Sequence, residues 1–203
     1  MEDLWQLHTI LTQTYQTFIN MKEKILYIYG YGSNPKDSST MKVVKEVVNN
    51  LGYDLVSIEY DQNSPEDGLR TLEKYINDNN IKYVIGHSLG GFMTLCLNSN
   101  VKKIVINPCM KPQFELPKLG DITDETIYYY ECLEDWLRSG DDTPWVNHLD
   151  PVMGLFGDSD ELFSFYESFK KRYPRSYYIK SFHRPTIEAF TEDIKTKIKE
   201  FFN

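Results

Sequence analysis

Short apolar runs closed by glycine or an Asn-Pro step alternate along this chain with stretches whose apolar residues recur every three or four positions. The runs at 25–29, 54–58, 82–85, 103–106, 152–156 and 176–179 are strand-length, and most are apolar without alternation, the pattern of strands covered on both faces. Helical spacing fills the gaps, near 37–51 with Ser38 or Ser39 as caps and Gly52 as a stop, then over 65–79, 92–97, 161–171 and 186–202. Regular strand–helix alternation predicts an α/β fold with a reduced, mostly parallel sheet of about six strands and right-handed crossovers. In such a sheet the site lies beyond the carboxyl ends of the strands, where strand order reverses.

Two segments fall outside this alternation. Leu4, Leu7, Leu11, Tyr15 and Phe18 mark residues 1–20 as an amphipathic helical extension ahead of a domain spanning 21–203. Packing on the domain surface is its plainest role. Homodimerisation or anchoring at a membrane surface are sharper readings, although the polar face is rich in Thr and Gln instead of Lys. The second segment, 111–148, carries Pro112, Pro117 and Pro144 with a helical piece near 125–137. An insertion of that length is either a cap over the site or a decoration.

Chemistry concentrates where an apolar strand runs into Gly86-His87-Ser88-Leu89-Gly90-Gly91 and then an apolar helix. A strand-to-helix reversal this tight strains the central residue and needs neighbours with almost no side-chain volume, which Gly86 and Gly90 supply. Ser88 is therefore the candidate nucleophile. A serine hydroxyl needs a base, and the base needs an orienting acid. Of the four histidines, His8 lies in the extension, His87 is read as pointing away from the site, and His148 ends the insertion. His183, just past the sixth strand, is the candidate base. For the acid, Asp160 in Gly157-Asp158-Ser159-Asp160-Glu161 is favoured, and Asp158 competes as the residue nearer the turn. The backbone N–H groups of Leu89 and Tyr31 are the candidate oxyanion donors, with Gly30 and Gly32 letting the loop after the first strand approach a substrate.

Charge narrows the partners. The net charge is -8 with a pI near 5.0 and no lysine- or arginine-rich run, so no footprint for nucleic acid appears and small molecules are the expected partners. Cys96, Cys109 and Cys132 show no paired or metal-type spacing and read as free thiols in a reducing compartment. No apolar run approaches the about 18 residues of a membrane span, and no basic stretch followed by an apolar core opens the chain; a cytoplasmic protein is the expectation. No His, Cys and carboxylate cluster has ligand spacing, so neither metal nor cofactor is expected.

The order Ser88, Asp160, His183 resembles that of the α/β-hydrolase superfamily, and the motifs around it resemble its small YqiA-type esterases. The similarity runs over about residues 22–202, through the loop Tyr29 to Pro35, the elbow Gly86 to Gly91, the strand end Asn107-Pro108, the turn Gly157 to Glu161, and His183. Three features differ from the usual pattern: Tyr29 replaces a histidine, no glycine pair precedes His183, and the acid turn holds two aspartates. The resemblance implies cleavage of carboxylic esters of small acyl groups, or of thioesters, without a cofactor. A catalytically impaired binding protein on the same fold, or an acyltransferase, are the other readings.

Overall fold

The computed structural model describes Gln6 and residues 22–139 and 151–203. The extension at 1–20, with His8, is otherwise outside these residues, as are Pro144 and His148. A six-stranded, wholly parallel sheet forms the centre, in the order β2-β1-β3-β4-β5-β6. Its strands are β1 Lys24–Ile28, β2 Asp54–Val56, β3 Tyr83–His87, β4 Lys102–Ile106, β5 Val152–Gly157 and β6 Ser176–Ile179. The helices are α1 Ser39–Asn50, α2 Pro65–Asp78, α3 Leu89–Cys96, α4 Pro112–Glu115, α5 Asp124–Ser139, α6 Tyr166–Arg172 and α7 Glu192–Phe202.

Strand order reverses once, at β1. The chain steps from β1 outward to β2, then returns across β1 to β3 and continues the other way. With right-handed crossovers, α1 lies on one face and α2 and α3 on the opposite one. The loops leaving β1 and β3 thus diverge and open a crevice between them. Register sharpens this, since Ile28 pairs with Gly86, so both chains leave the sheet at nearly the same level.

Burial follows the apolar runs. Ile25, Leu26, Tyr27 and Ile28 are fully enclosed, and Leu89, Phe92 and Met93 of α3 fill the opposite layer. α1 begins where the Ser38 hydroxyl accepts a 3.1 Å hydrogen bond from the Met41 N–H, and it buries Val44, Val47 and Val48. At the amino end of the sheet Phe202 of α7 packs on Tyr53 and Tyr83, with ring centroids 5.4 and 4.6 Å away.

Two elements begin later than their periodicity predicts. The segment after Glu161 stays irregular until Tyr166, because the Asp160 carboxylate accepts the N–H groups of Leu162 and Phe163 and turns the chain there. The last helix is divided into a short turn at Ile187–Ala189 and α7, which starts afresh where the Thr191 hydroxyl accepts the Ile194 N–H.

Candidate active site

Ser88 occupies the junction of β3 and α3 with φ 57° and ψ -122°, a conformation that non-glycine residues rarely adopt. The turn leaves no room for side chains at its flanks. A Cβ on Gly86 would overlap the Thr94 hydroxyl and the Gly90 carbonyl, and one on Gly90 would overlap the Ile28 carbonyl. A Cβ on Gly30 would lie 2.9 Å from Ser88 Cβ and 3.4 Å from its Oγ, so the loop after β1 packs directly on the serine. The N–H groups of Tyr31 and of Leu89, the first residue of α3, donate to no protein acceptor among the described residues. Leu89 N–H is one of the free amides at the start of α3, and Tyr31 borders the same cavity as Ser88. Gly32 has φ +67° with open space around it, and its N–H donates to Gln62 Oε1 at 2.9 Å.

The other half of the site comes from the ends of β5 and β6. His183 Nδ1 lies 3.0 and 3.1 Å from the two carboxylate oxygens of Asp160, and both side chains are about nineteen-twentieths buried. Burial pushes the Asp160 carboxyl up. The hydrogen bond and charge of His183, together with the Leu162 and Phe163 N–H groups, outweigh it and hold the group below its ordinary range. A carboxylate facing Nδ1 fixes the proton there and leaves Nε2 as the free lone pair. Asp158 is elsewhere: its Oδ1 accepts from Ser181 N–H and the Ser159 hydroxyl. Phe163 packs edge-on against the imidazole, centroids 4.8 Å apart.

A cavity of about 640 Å³ runs between the two halves. It is lined by Gly30, Tyr31, Gly32, Ser88 and His183, so five of the residues singled out from sequence share one space. Leu119, Leu162 and Phe182 form an exposed apolar rim. Ser88 Oγ makes no hydrogen bond among the described residues.

His87 does not point away from the site. Its ring lies 4.9 Å from that of His183 and lines the same cavity, and its Nε2 is 2.9 Å from the His183 carbonyl oxygen. Its place just before the serine did not turn it away, because the strand ends at His87 and the loop carrying His183 packs against that end. Since a carbonyl can only accept, His87 donates from Nε2. Burial above all, then the His183 charge, drives its pKa down to about 3, against smaller raising effects from the His183 carbonyl and Asp160.

Asn107 was legible only as the residue closing β4. It is 1 % exposed with φ +45°, and it ties the acid turn to the base loop. Its Oδ1 accepts the Gly157 N–H at 2.6 Å, while its Nδ2 donates to the carbonyls of His183 at 2.8 Å and Phe182 at 3.2 Å. The sequence signal was a polar side chain ending a buried strand. Gln62 had no such signal, yet its Nε2 donates to the Gly30 carbonyl at 2.9 Å and so pins the first loop from both sides. Tyr29 and Tyr60 brace the same loop: the Tyr29 hydroxyl accepts the Tyr60 N–H, and the Tyr60 hydroxyl donates back to the Tyr29 carbonyl. The insertion docks on this bracing. Tyr130 and Thr126 of α5 donate to the carbonyls of Gln62 and Asn63, and the Tyr31 hydroxyl donates to the Asp121 carbonyl.

A parallel sheet with a serine elbow after β3 and a histidine after β6 is the α/β-hydrolase architecture, and solved structures agree. Est1E from Butyrivibrio proteoclasticus aligns with a TM-score of 0.67 at 19% identity, over 90% of this chain and 89% of that one. A second structure of Est1E, with ferulic acid bound, gives 0.64 at 17% over 90% and 88%. The ydeN gene product of B. subtilis gives 0.60 at 16% identity over 89% and 99%. The chain belongs to the uncharacterised protein family UPF0227, whose model matches residues 24–179. No curated protein matches it.

Proposed function

We propose that this protein is a serine hydrolase of carboxylic esters, including thioesters of small acyl groups, working through an acyl-enzyme. The observation that carries the reading is His183, paired with the buried Asp160, lining one cavity with Ser88 on its strained elbow. Ser88 Oγ attacks the acyl carbon as His183 Nε2 takes its proton, and Asp160 steadies the resulting imidazolium. The Leu89 and Tyr31 N–H groups stabilise the oxyanion. Collapse breaks the bond to the leaving alkoxide, which receives the proton from His183. Water then adds to the acyl-enzyme, giving its proton to His183, and Ser88 recovers that proton as the acid departs.

The segment 111–139 acts as part of a cap, with Leu119 forming one wall for the substrate. The apolar rim suits short aliphatic or aromatic acyl groups. Est1E binds ferulic acid, so aromatic acyl esters belong in a first substrate panel. The test is hydrolysis of p-nitrophenyl acetate and labelling by a fluorophosphonate, followed by mass spectrometry of the modified peptide. Both should occur in the wild type at Ser88 and vanish in Ser88→Ala. Turnover surviving in the purified variant would defeat the assignment. An inert binding protein is the second reading, favoured by the open Ser88–His183 contact; absence of labelling with all esters left intact would select it.

A further inference from the structure

Three carboxylate or guanidinium side chains line the cavity around Ser88: Asp37, Glu161 and Arg184. Both carboxylates are already engaged. Asp37 Oδ2 accepts a 2.9 Å hydrogen bond from Asn34 Nδ2, and Glu161 Oε2 accepts the His183 N–H at 2.9 Å. Arg184 is exposed, and it makes no hydrogen bond or ion pair among the described residues. Among the described residues, the charged lining group left without a protein partner is therefore the guanidinium, while the two hydrogen-bonded carboxylates keep their charge. Arg184 follows His183 directly and lines the same cavity as Ser88. A guanidinium offers five donors in a planar fork that matches a carboxylate bidentately. The apolar rim of Leu119, Leu162 and Phe182 supplies the surface for the stretch between the scissile bond and such a charge.

We infer that the preferred substrates are short esters carrying a carboxylate away from the scissile bond, and that Arg184 is the residue that selects them. This rests on the ester-hydrolase reading and adds a specificity to it. Anion recognition at a partly exposed arginine weakens with salt, so the preference should fall as ionic strength rises.

Two matched ester pairs test it. Mono-p-nitrophenyl succinate against p-nitrophenyl butyrate places the charge on the acyl side, and para-acetoxybenzoate against phenyl acetate places it on the alcohol side. In at least one pair the wild type should favour the anionic member in kcat/KM. Arg184→Gln should reduce that ratio about tenfold, the scale of one hydrogen bond to a charged group, chiefly through KM. Arg184→Lys, which keeps the charge, should retain part of the preference. Ratios that Arg184→Gln leaves unchanged in both pairs overturn the inference. Calorimetric binding of the same esters to Ser88→Ala, with and without Arg184→Gln, separates the two levels of the argument. If the wild type hydrolyses nothing, the hydrolase reading falls, whereas tighter binding of the anionic members that depends on Arg184 still supports the anion site. Equal binding of charged and neutral members overturns it.

Discussion

Acidification should loosen the fold at the elbow, through His87. This imidazole is buried, donates from Nε2 to the His183 carbonyl, and has its pKa driven from 6.5 down to about 3. Between those values the unfolded chain binds a proton that the native chain refuses. Stability from this group is therefore fully present above about pH 6.5, falls as pH drops below it, and levels off near the folded value. Each unit of pH in that window costs about 1.4 kcal/mol, so at about pH 5 the loss is about 2 kcal/mol relative to about pH 8. The comparison is urea unfolding of the wild type and His87→Gln at both pH values. Glutamine keeps an N–H for the carbonyl but cannot titrate, and the remaining histidines are common to both chains. With a slope of about 2 kcal/mol/M, the wild-type midpoint should drop about 1 M further than that of the variant. Equal drops in the two proteins would refute the claim that His87 is held neutral by burial.

Asp160→Asn should leave the fold in place but present the wrong imidazole tautomer, lowering kcat by about 10³–10⁴-fold in ester turnover. Because the Asp160 carboxyl is held below its ordinary range, its charge persists down to acid pH and is lost only as pH falls below that range, so the wild-type rate profile should show no step from Asp160 in the ordinary carboxylate range. Gly90→Ala, which overlaps the Ile28 carbonyl, should cost more than about 3 kcal/mol or abolish soluble expression, whereas Gly32→Ala should cost only the about 1–2 kcal/mol of a left-handed residue in thermal melts. Asn107→Ala strips partners from the Gly157 N–H and the Phe182 carbonyl and should lower stability by about 2–3 kcal/mol, with a larger loss in kcat than in KM.

What could be read in advance depended on how local the determining physics is. β1, β3, β4 and β5 were legible because a strand buried on both faces must be apolar throughout, and Gly86 and Gly90 were legible because a tight reversal excludes side chains. Position after the sixth and fifth strands pointed to the pair that meets, His183 and Asp160. The choice of Asp160 over Asp158 turns on one residue's offset past β5, where Asp160 accepts two N–H groups ahead of it and Asp158 reaches Ser181. The delayed start of α6 has the same origin, since the carboxylate that meets His183 also competes for the first amides of that helix.

Bracing was not legible, because it is made of contacts between residues far apart in the chain. Gln62 touches Gly30 and Gly32 from a loop with no periodicity of its own. Asn107 matters for a different reason: it ends the strand lying between the serine strand and the acid strand, and so its side chain can reach across to the base loop as well. The turn after β5 and the loop after β6 are then both tied to one side chain at the end of β4. His87 adds a second donor to the same His183 carbonyl from the serine strand itself. The backbone of the imidazole is thereby fixed from two neighbouring strands while its ring is fixed by Asp160.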